Sequence, residues 1–220
     1  MDSVFQTFLE LINQDFSALM TPEKALLIYI IVSLLVFLES GLLPAAPLPC
    51  DSVVILTGML MASGVLDPII MGSLIVIAAA LGSWVAYLQG KWLNKLPKVQ
   101  RWIKKVPQKR LDQIDVLTTK HGLVALFSAR FVAVARSLLP LMMGLRKNKI
   151  GKFQWFSWLS ALLWMVILCG AGWLIHLLPD HLSKLVMMGL MAAPIITLVG
   201  ASLSVIVVKI RSQKKVRKAA

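Results

Sequence analysis

Charge is scarce in this sequence of 220 residues: Asp, Glu, Lys and Arg make up 15% of it, against roughly 25% in an ordinary soluble domain. Acids are scarcer still, 10 against 23 Lys and Arg. The 2 cysteines, Cys50 and Cys169, are too few and too far apart for a disulfide framework, and each reads as a small apolar packing residue. The 3 histidines, His121, His176 and His181, are too scattered for a metal site. No HExxH, Gly-x-Ser-x-Gly or P-loop pattern occurs, and no histidine lies in the broken apolar segments 39–66 and 123–145. The expectation is therefore no enzymatic activity, no cofactor and no metal. A cleavable signal peptide is also missing by pattern. The first positive side chain is Lys24, and 1–23 has no continuous apolar core.

What is present is apolar. Hydrophobic residues reach 58%, against roughly 45–50% in soluble proteins, and they come in runs long enough to cross a bilayer. This excludes a water-soluble globule and a disordered chain. The net charge of +13 is gathered rather than spread. Nine Lys/Arg lie in 91–120, four in 146–152 and six in 209–218, between or after apolar runs. That is the pattern of cytoplasmic loops, not of a nucleic-acid surface.

Along the chain, 1–23 reads as an amphipathic helix lying on the membrane. Thr21 and Pro22 read as the cap and first position of the next helix. Residues 25–38 are apolar up to Glu39. Pro44, Pro47 and Pro49 then crowd a stretch that cannot be helix interior, followed by Cys50, Asp51 and a short apolar run over 52–66. Asp67-Pro68 marks a turn. The span 69–88 is rich in small residues (Gly72, Ser73, Ala78, Ala79, Ala80, Gly82, Ser83) that allow helices to approach closely. Residues 91–120 form a basic segment, either interfacial helices or a solvated loop. The run 123–145 is apolar apart from Arg130 and Arg136, with Pro140 inside it. Two full spans, 155–178 and 185–208, precede a polybasic tail, 209–220. The tryptophans Trp155, Trp158, Trp164 and Trp173 read as belt and packing residues.

Topology follows from the charges. A cytoplasmic tail puts 146–152 and 91–120 inside as well, so 123–145 starts and ends on one side. It is expected to be a re-entrant hairpin bent near Arg130, Arg136 and Pro140. The proline-broken stretch 39–66 suggests a second hairpin from the opposite face. Two full crossings, 25–43 and 52–66, satisfy the charges equally; the shortness of 52–66 favours the hairpin. Irregular backbone at membrane depth must be buried in protein or line a wet cavity. Two opposed hairpins are characteristic of inverted-repeat transporters.

Glu39, Asp51, Arg130 and Arg136 fall in or beside these broken segments. Each would cost about 2.5–3.5 kcal/mol at a helix centre, roughly 10–14 kcal/mol for all four unpaired. Mutual pairing of two acids with two arginines is expected. Arginine forks suit phosphate, and a carboxylate in a partly dry cavity can carry a proton. The alternatives are an ion pair that only locks the hairpins, or side chains that snorkel to the interface. On a straight helix Arg130 and Arg136 would point about 120° apart, so a bend between them is needed to aim both at one site.

Several motifs in one order carry a resemblance over nearly the whole chain. Glu39 is followed by Pro44-Ala45-Ala46-Pro47-Leu48-Pro49-Cys50-Asp51. Gly82-Ser83-Trp84 leads to Gln89-Gly90-Lys91-Trp92-Leu93. His121-Gly122 precedes Ala129-Arg130-Phe131, Arg136 and Gly144. Together these resemble the DedA family of bacterial inner-membrane proteins, within the VTT-domain superfamily, and look nearest its enterobacterial osmosensing subgroup. The chain departs from the family pattern at Cys50, where glycine is usual, and at Ser128-Ala129 and Ala133.

The resemblance implies lipid-scramblase-like behaviour, membrane homeostasis dependent on the proton motive force, drug and alkaline tolerance, and return of undecaprenyl phosphate across the membrane. It also matches the family's important acids to Glu39 and Asp51, and its important arginines to Arg130 and Arg136.

The expected protein is thus an all-α polytopic membrane protein with two opposed re-entrant hairpins and an inverted repeat. It forms one domain, with halves 25–88 and 121–208, in the bacterial inner membrane with a cytoplasmic C-terminus. Its expected work is proton-coupled translocation of a lipid phosphate. Arg130 and Arg136 would bind phosphate, Glu39 and Asp51 would carry the proton, and Pro44, Pro47, Pro49 and Pro140 would shape the hairpins. Expected partners are a phospholipid or polyprenyl phosphate, protons and anionic lipids at the tail, with a homodimer compatible and nucleic acid excluded. A proton-coupled carrier of a small ion or solute, and a non-transporting scaffold, remain as alternatives.

Overall fold

The structure is a computed structural model that describes residues 21–42, 50–96, 122–145, 150–179, 181–183, 185–186 and 188–189. All regular structure among these residues is helical: α1 (Pro22–Gly41), α2 (Cys50–Ala62), α3 (Pro68–Leu93), α4 (Gly122–Arg130), α5 (Ala133–Leu145) and α6 (Ile150–His176). The expected helix over 1–23, the basic segment beyond residue 96, the span 185–208 and the tail lie wholly or mostly outside the described residues.

Three helices are long and apolar enough to cross a membrane: Pro22–Gly41, Pro68–Leu93 and Phe153–His176. The 13 residues of α2 and the 13 of α5 each make a rod of about 20 Å, short of a hydrocarbon core of about 30 Å. Four residues before the long span α3, the chain turns on a glycine. Gly64 has φ +79°, and the Val65 N–H reaches the Leu60 carbonyl while the Gly64 N–H reaches that of Met61. This is the Schellman arrangement. Asp67 then caps α3, its carboxylate accepting from the N–H groups of Ile69 (2.8 Å) and Ile70 (2.9 Å), with Pro68 in the first position, where no donor is needed. Thr21 holds the same position ahead of α1, but its hydroxyl makes no capping bond. The first turn of α1 is held by the backbone bond from Ala25 N–H to the Thr21 carbonyl, 3.0 Å.

α3 is central and packs on α1, α5 and α6; α6 also packs on α2 and α4. Val36, Val54, Met71, Ile75, Ala79, Ala161 and Trp164 form the main core. Two crossings are glycine-lined in the same way. On α2 and α6, a Cβ added to Gly58 would overlap the Cys169 carbonyl, and one on Gly172 would overlap that of Ile55. On α3 and α5, Gly90 meets the Leu141 carbonyl and Gly144 that of Tyr87. Each glycine thus faces the residue three before its partner glycine. A helix from each half lies against a helix of the other, at backbone contact.

The bend in 123–145 falls at Phe131-Val132, between α4 and α5. Pro140 does not mark it; Pro140 sits inside α5. Its ring leaves the carbonyl of Arg136, four residues earlier, without an intrahelical donor.

Candidate functional site

Four helix ends converge. Glu39 lies near the end of α1, Asp51 in the first turn of α2, Arg130 at the last position of α4 and Arg136 in the first turn of α5. The break at Phe131-Val132 does what a straight helix could not: it folds Arg136 back onto the residue six before it. Arg136 Nε and Nη2 donate to the Arg130 carbonyl at 3.1 and 2.7 Å. That carbonyl ends α4 and has no helical partner, so a guanidinium suits it electrostatically.

Arg136 also binds both acids. Its Nη1 lies 2.5 Å from Glu39 Oε2, and its Nη2 donates to Asp51 Oδ1. Trp164 covers the guanidinium, with its ring centroid 4.8 Å from Cζ, a cation–π contact in a desolvated setting. The Glu39 side chain is 2% exposed and that of Asp51 42%. The triad therefore has a closed end at Glu39 and an open one at Asp51.

The expected pairing of two acids with two arginines is corrected here. Both acids go to Arg136. Arg130, 4% exposed, turns away toward α3 and α6. Its Nε donates to Ser160 Oγ at 3.0 Å, and its Nη2 to the Ser157 carbonyl at 3.1 Å, with Ser83 Oγ at 3.4 Å and Ser157 Oγ at 3.5 Å. No carboxylate pairs with it among the described residues. The reason is its place at the end of α4, where the backbone carbonyl faces Arg136 and the side chain faces α6.

Sequence reasoning missed this serine set. Ser83 was expected only as a small packing residue, and Ser157 and Ser160 carried no expectation. Their three-residue spacing inside an apolar span, one helical face, is the signal that could have drawn attention. Of the tryptophans read as belt and packing residues, Trp164 is fully buried and Trp155 is 69% exposed. Ser40 Oγ, Ser137 Oγ and Trp164 Nε1 are buried without a hydrogen-bond partner among the described residues. Cys50, beside Asp51, is buried as a free thiol. Pro44, Pro47 and Pro49 lie outside the described residues. Among the described residues no group of His, Cys, Asp and Glu could hold a metal ion.

The VTT domain matches residues 48–174, which contain Asp51, both arginines and the three serines. The chain belongs to the VTT-domain family, that of DedA. Among its DedA-family relatives, inner membrane protein YqjA of Escherichia coli (strain K12) is 39% identical over 201 residues, 90% of this chain and 91% of that protein. Inner membrane protein YghB of the same organism is 37% identical over 203 residues, 91% and 93% of the two chains. Protein DedA, also of that organism, is 28% identical over 182 residues, 80% and 83%. No solved structure matches this DedA-family chain.

Proposed function

We propose that the chain is a multi-pass transporter of the bacterial inner membrane that moves a lipid phosphate, undecaprenyl phosphate, with proton coupling in support of envelope homeostasis. The observation that carries this reading is Arg136 held between Glu39 and Asp51 at the meeting of broken helices. Charge at such depth is costly, and by default it marks a functional site. Protonation of either acid weakens its hold on Arg136. An anion then competes for the freed fork, and its departure returns the arginine to the acids. This cycle makes anion movement depend on protons, and it needs neither a cofactor nor an enzymatic step.

Two further features support it. The short helices α2 and α5 and the break at Phe131-Val132 fit two re-entrant hairpins, and the matching glycine crossings fit an inverted repeat that rocks about a central site. Apolar surface for a lipid tail exists between α3 and α6: a groove of about 420 Å³ lined by Pro68, Ile69, Gly72, Val76, Trp158 and Met165, among others. A lipid carrier needs such a surface; a carrier of small ions does not. The polybasic tail is read as cytoplasmic, where it would meet anionic lipid headgroups.

The test is transport of labelled undecaprenyl phosphate in proteoliposomes, with and without a pH gradient, using the intact chain and Arg136→Ala. Gradient-sensitive movement that the variant abolishes is the expected result. An intact, folded protein that moves no lipid in either condition would sink the lipid reading and direct attention to proton-coupled ion flux. The completeness of the Arg136 pairing favours one rival, a scaffold locked by ions. Arg136→Lys separates the two: a phosphate fork suffers from losing its planar donors, while a simple charge pair survives.

A further inference from the structure

Arg130 is a buried cation whose described neighbours are all neutral oxygens or another cation. Both carboxylates of the site are engaged with Arg136. A guanidinium at this depth without a counter-ion is an expensive arrangement, and the cost falls when an anion arrives. The surroundings suit one. Ser83 and Ser160 hydroxyls receive the guanidinium N–H groups, while sending their own protons to the carbonyls of Ala79 (2.9 Å) and Ser157 (3.0 Å). A hydroxyl rotates freely enough to redirect its proton. The oxygens that now accept from Arg130 can therefore donate to an anion placed on it. Two further donors are buried and unclaimed among the described residues: Ser137 Oγ, and Nε1 of Trp164, whose ring covers the Arg136 guanidinium.

We infer that the anionic head is first received at Arg130, in a cage formed by the hydroxyls of Ser83, Ser157 and Ser160, while Arg136 still holds the acids and is freed only when one of them is protonated. This rests on the lipid-phosphate reading above and divides its two arginines into an anion receiver and a proton-responsive latch. Charge counting agrees. Arg136 with two carboxylates carries one net negative charge, and Arg130 one positive. An anion at Arg130 cancels that positive charge and leaves the negative one. A proton delivered at Asp51, the solvent-facing acid, restores neutrality. For a monoester that enters as its monoanion, one anion and one proton then cross together; the dianion needs a second proton, at Glu39.

The ligand chemistry is a phosphate monoester, with a lipid head and free phosphate as its two sources. The test uses the full chain in detergent and titrates farnesyl phosphate, inorganic phosphate and farnesol. Farnesyl phosphate should bind and farnesol should not. Ser160→Ala, Ser157→Ala and Ser83→Ala should each raise the Kd, by about tenfold where a full hydrogen bond to the phosphate is lost. Ser160→Cys keeps the volume but donates poorly, so it should lose affinity with an unchanged unfolding midpoint; it stands in if the alanine variants do not fold.

If folded serine variants bind farnesyl phosphate as the intact chain does, the cage is wrong and the lipid-phosphate reading stands. Should inorganic phosphate bind as tightly, with the same serine dependence, the cage stands and its ligand becomes free phosphate rather than lipid. Binding of neither by the intact chain overturns both.

Discussion

At the scale of single residues, the site is asymmetric in a way that ranks its variants. Glu39 is closed off and Asp51 is open. Arg136→Ala leaves Glu39 buried without its cation, and breaking such a pair costs about 3–5 kcal/mol. We expect a large drop in the thermal midpoint in detergent, together with loss of transport. Arg136→Lys should recover much of that stability without the planar fork. Asp51→Ala should destabilise less than Glu39→Ala, because water reaches the Asp51 carboxylate and screens its contribution. Equal losses for the two acids would contradict the open-and-closed picture. Four charges at depth could be singled out from the sequence because charge among apolar runs is rare. Which arginine the acids would choose could not, because that depends on a break of two residues, Phe131-Val132, that carries no proline or glycine.

At the scale of helices, the glycines sort into two kinds that a sequence does not distinguish. Gly58, Gly90, Gly144 and Gly172 each touch another helix's backbone, whereas Gly170, also within a helix, has nothing within 4 Å of an added Cβ. Replacing Gly90 or Gly172 by Ala must push helices apart, and we expect a loss of about 1–3 kcal/mol or more, the range for overpacking. Gly170→Ala should be neutral or stabilising by up to about 1 kcal/mol, the helix-propensity difference. Unfolding midpoints of these variants in one detergent check the contrast. The start of α3 was legible from Asp67-Pro68, since a cap and a first-turn proline act locally. The bend was legible between Arg130 and Arg136, but Pro140, also expected to mark it, does not. A proline removes one hydrogen bond wherever it stands, but whether the helix then bends depends on what packs around it. Here α5 is held by its glycine contact with α3 and continues through Pro140.

At the scale of the whole molecule, the basic clusters and the apolar spans make one prediction about sidedness. A green fluorescent protein fused after residue 220 should fluoresce, and an alkaline phosphatase fused there should be inactive, because both report a cytoplasmic end. The opposite result would reverse every span placed by the positive-inside count. The reciprocal contacts of α2 with α6 and α3 with α5 add a second expectation. Cysteine pairs across either crossing, in a background lacking Cys50 and Cys169, should cross-link with short reagents. A proton gradient should change the yield at the two crossings together if one half rocks against the other. A change confined to one crossing would argue for local gating.

Composition and order alone determined that this chain is helical and apolar enough to span a membrane. They also marked four charged residues worth following and the family to which the chain belongs. Those properties are local or additive: hydropathy sums over a run, a cap acts on its own turn, and a motif is read in order. The tertiary structure decided the rest. It assigned both acids to Arg136, surrounded Arg130 with serines from helices far along the chain, and placed Trp164 over the Arg136 guanidinium. It also brought Gly58, Gly90, Gly144 and Gly172 against the backbones of other helices. Each of these depends on which helix faces which, and that is set by close packing across distant segments rather than by any single stretch of sequence.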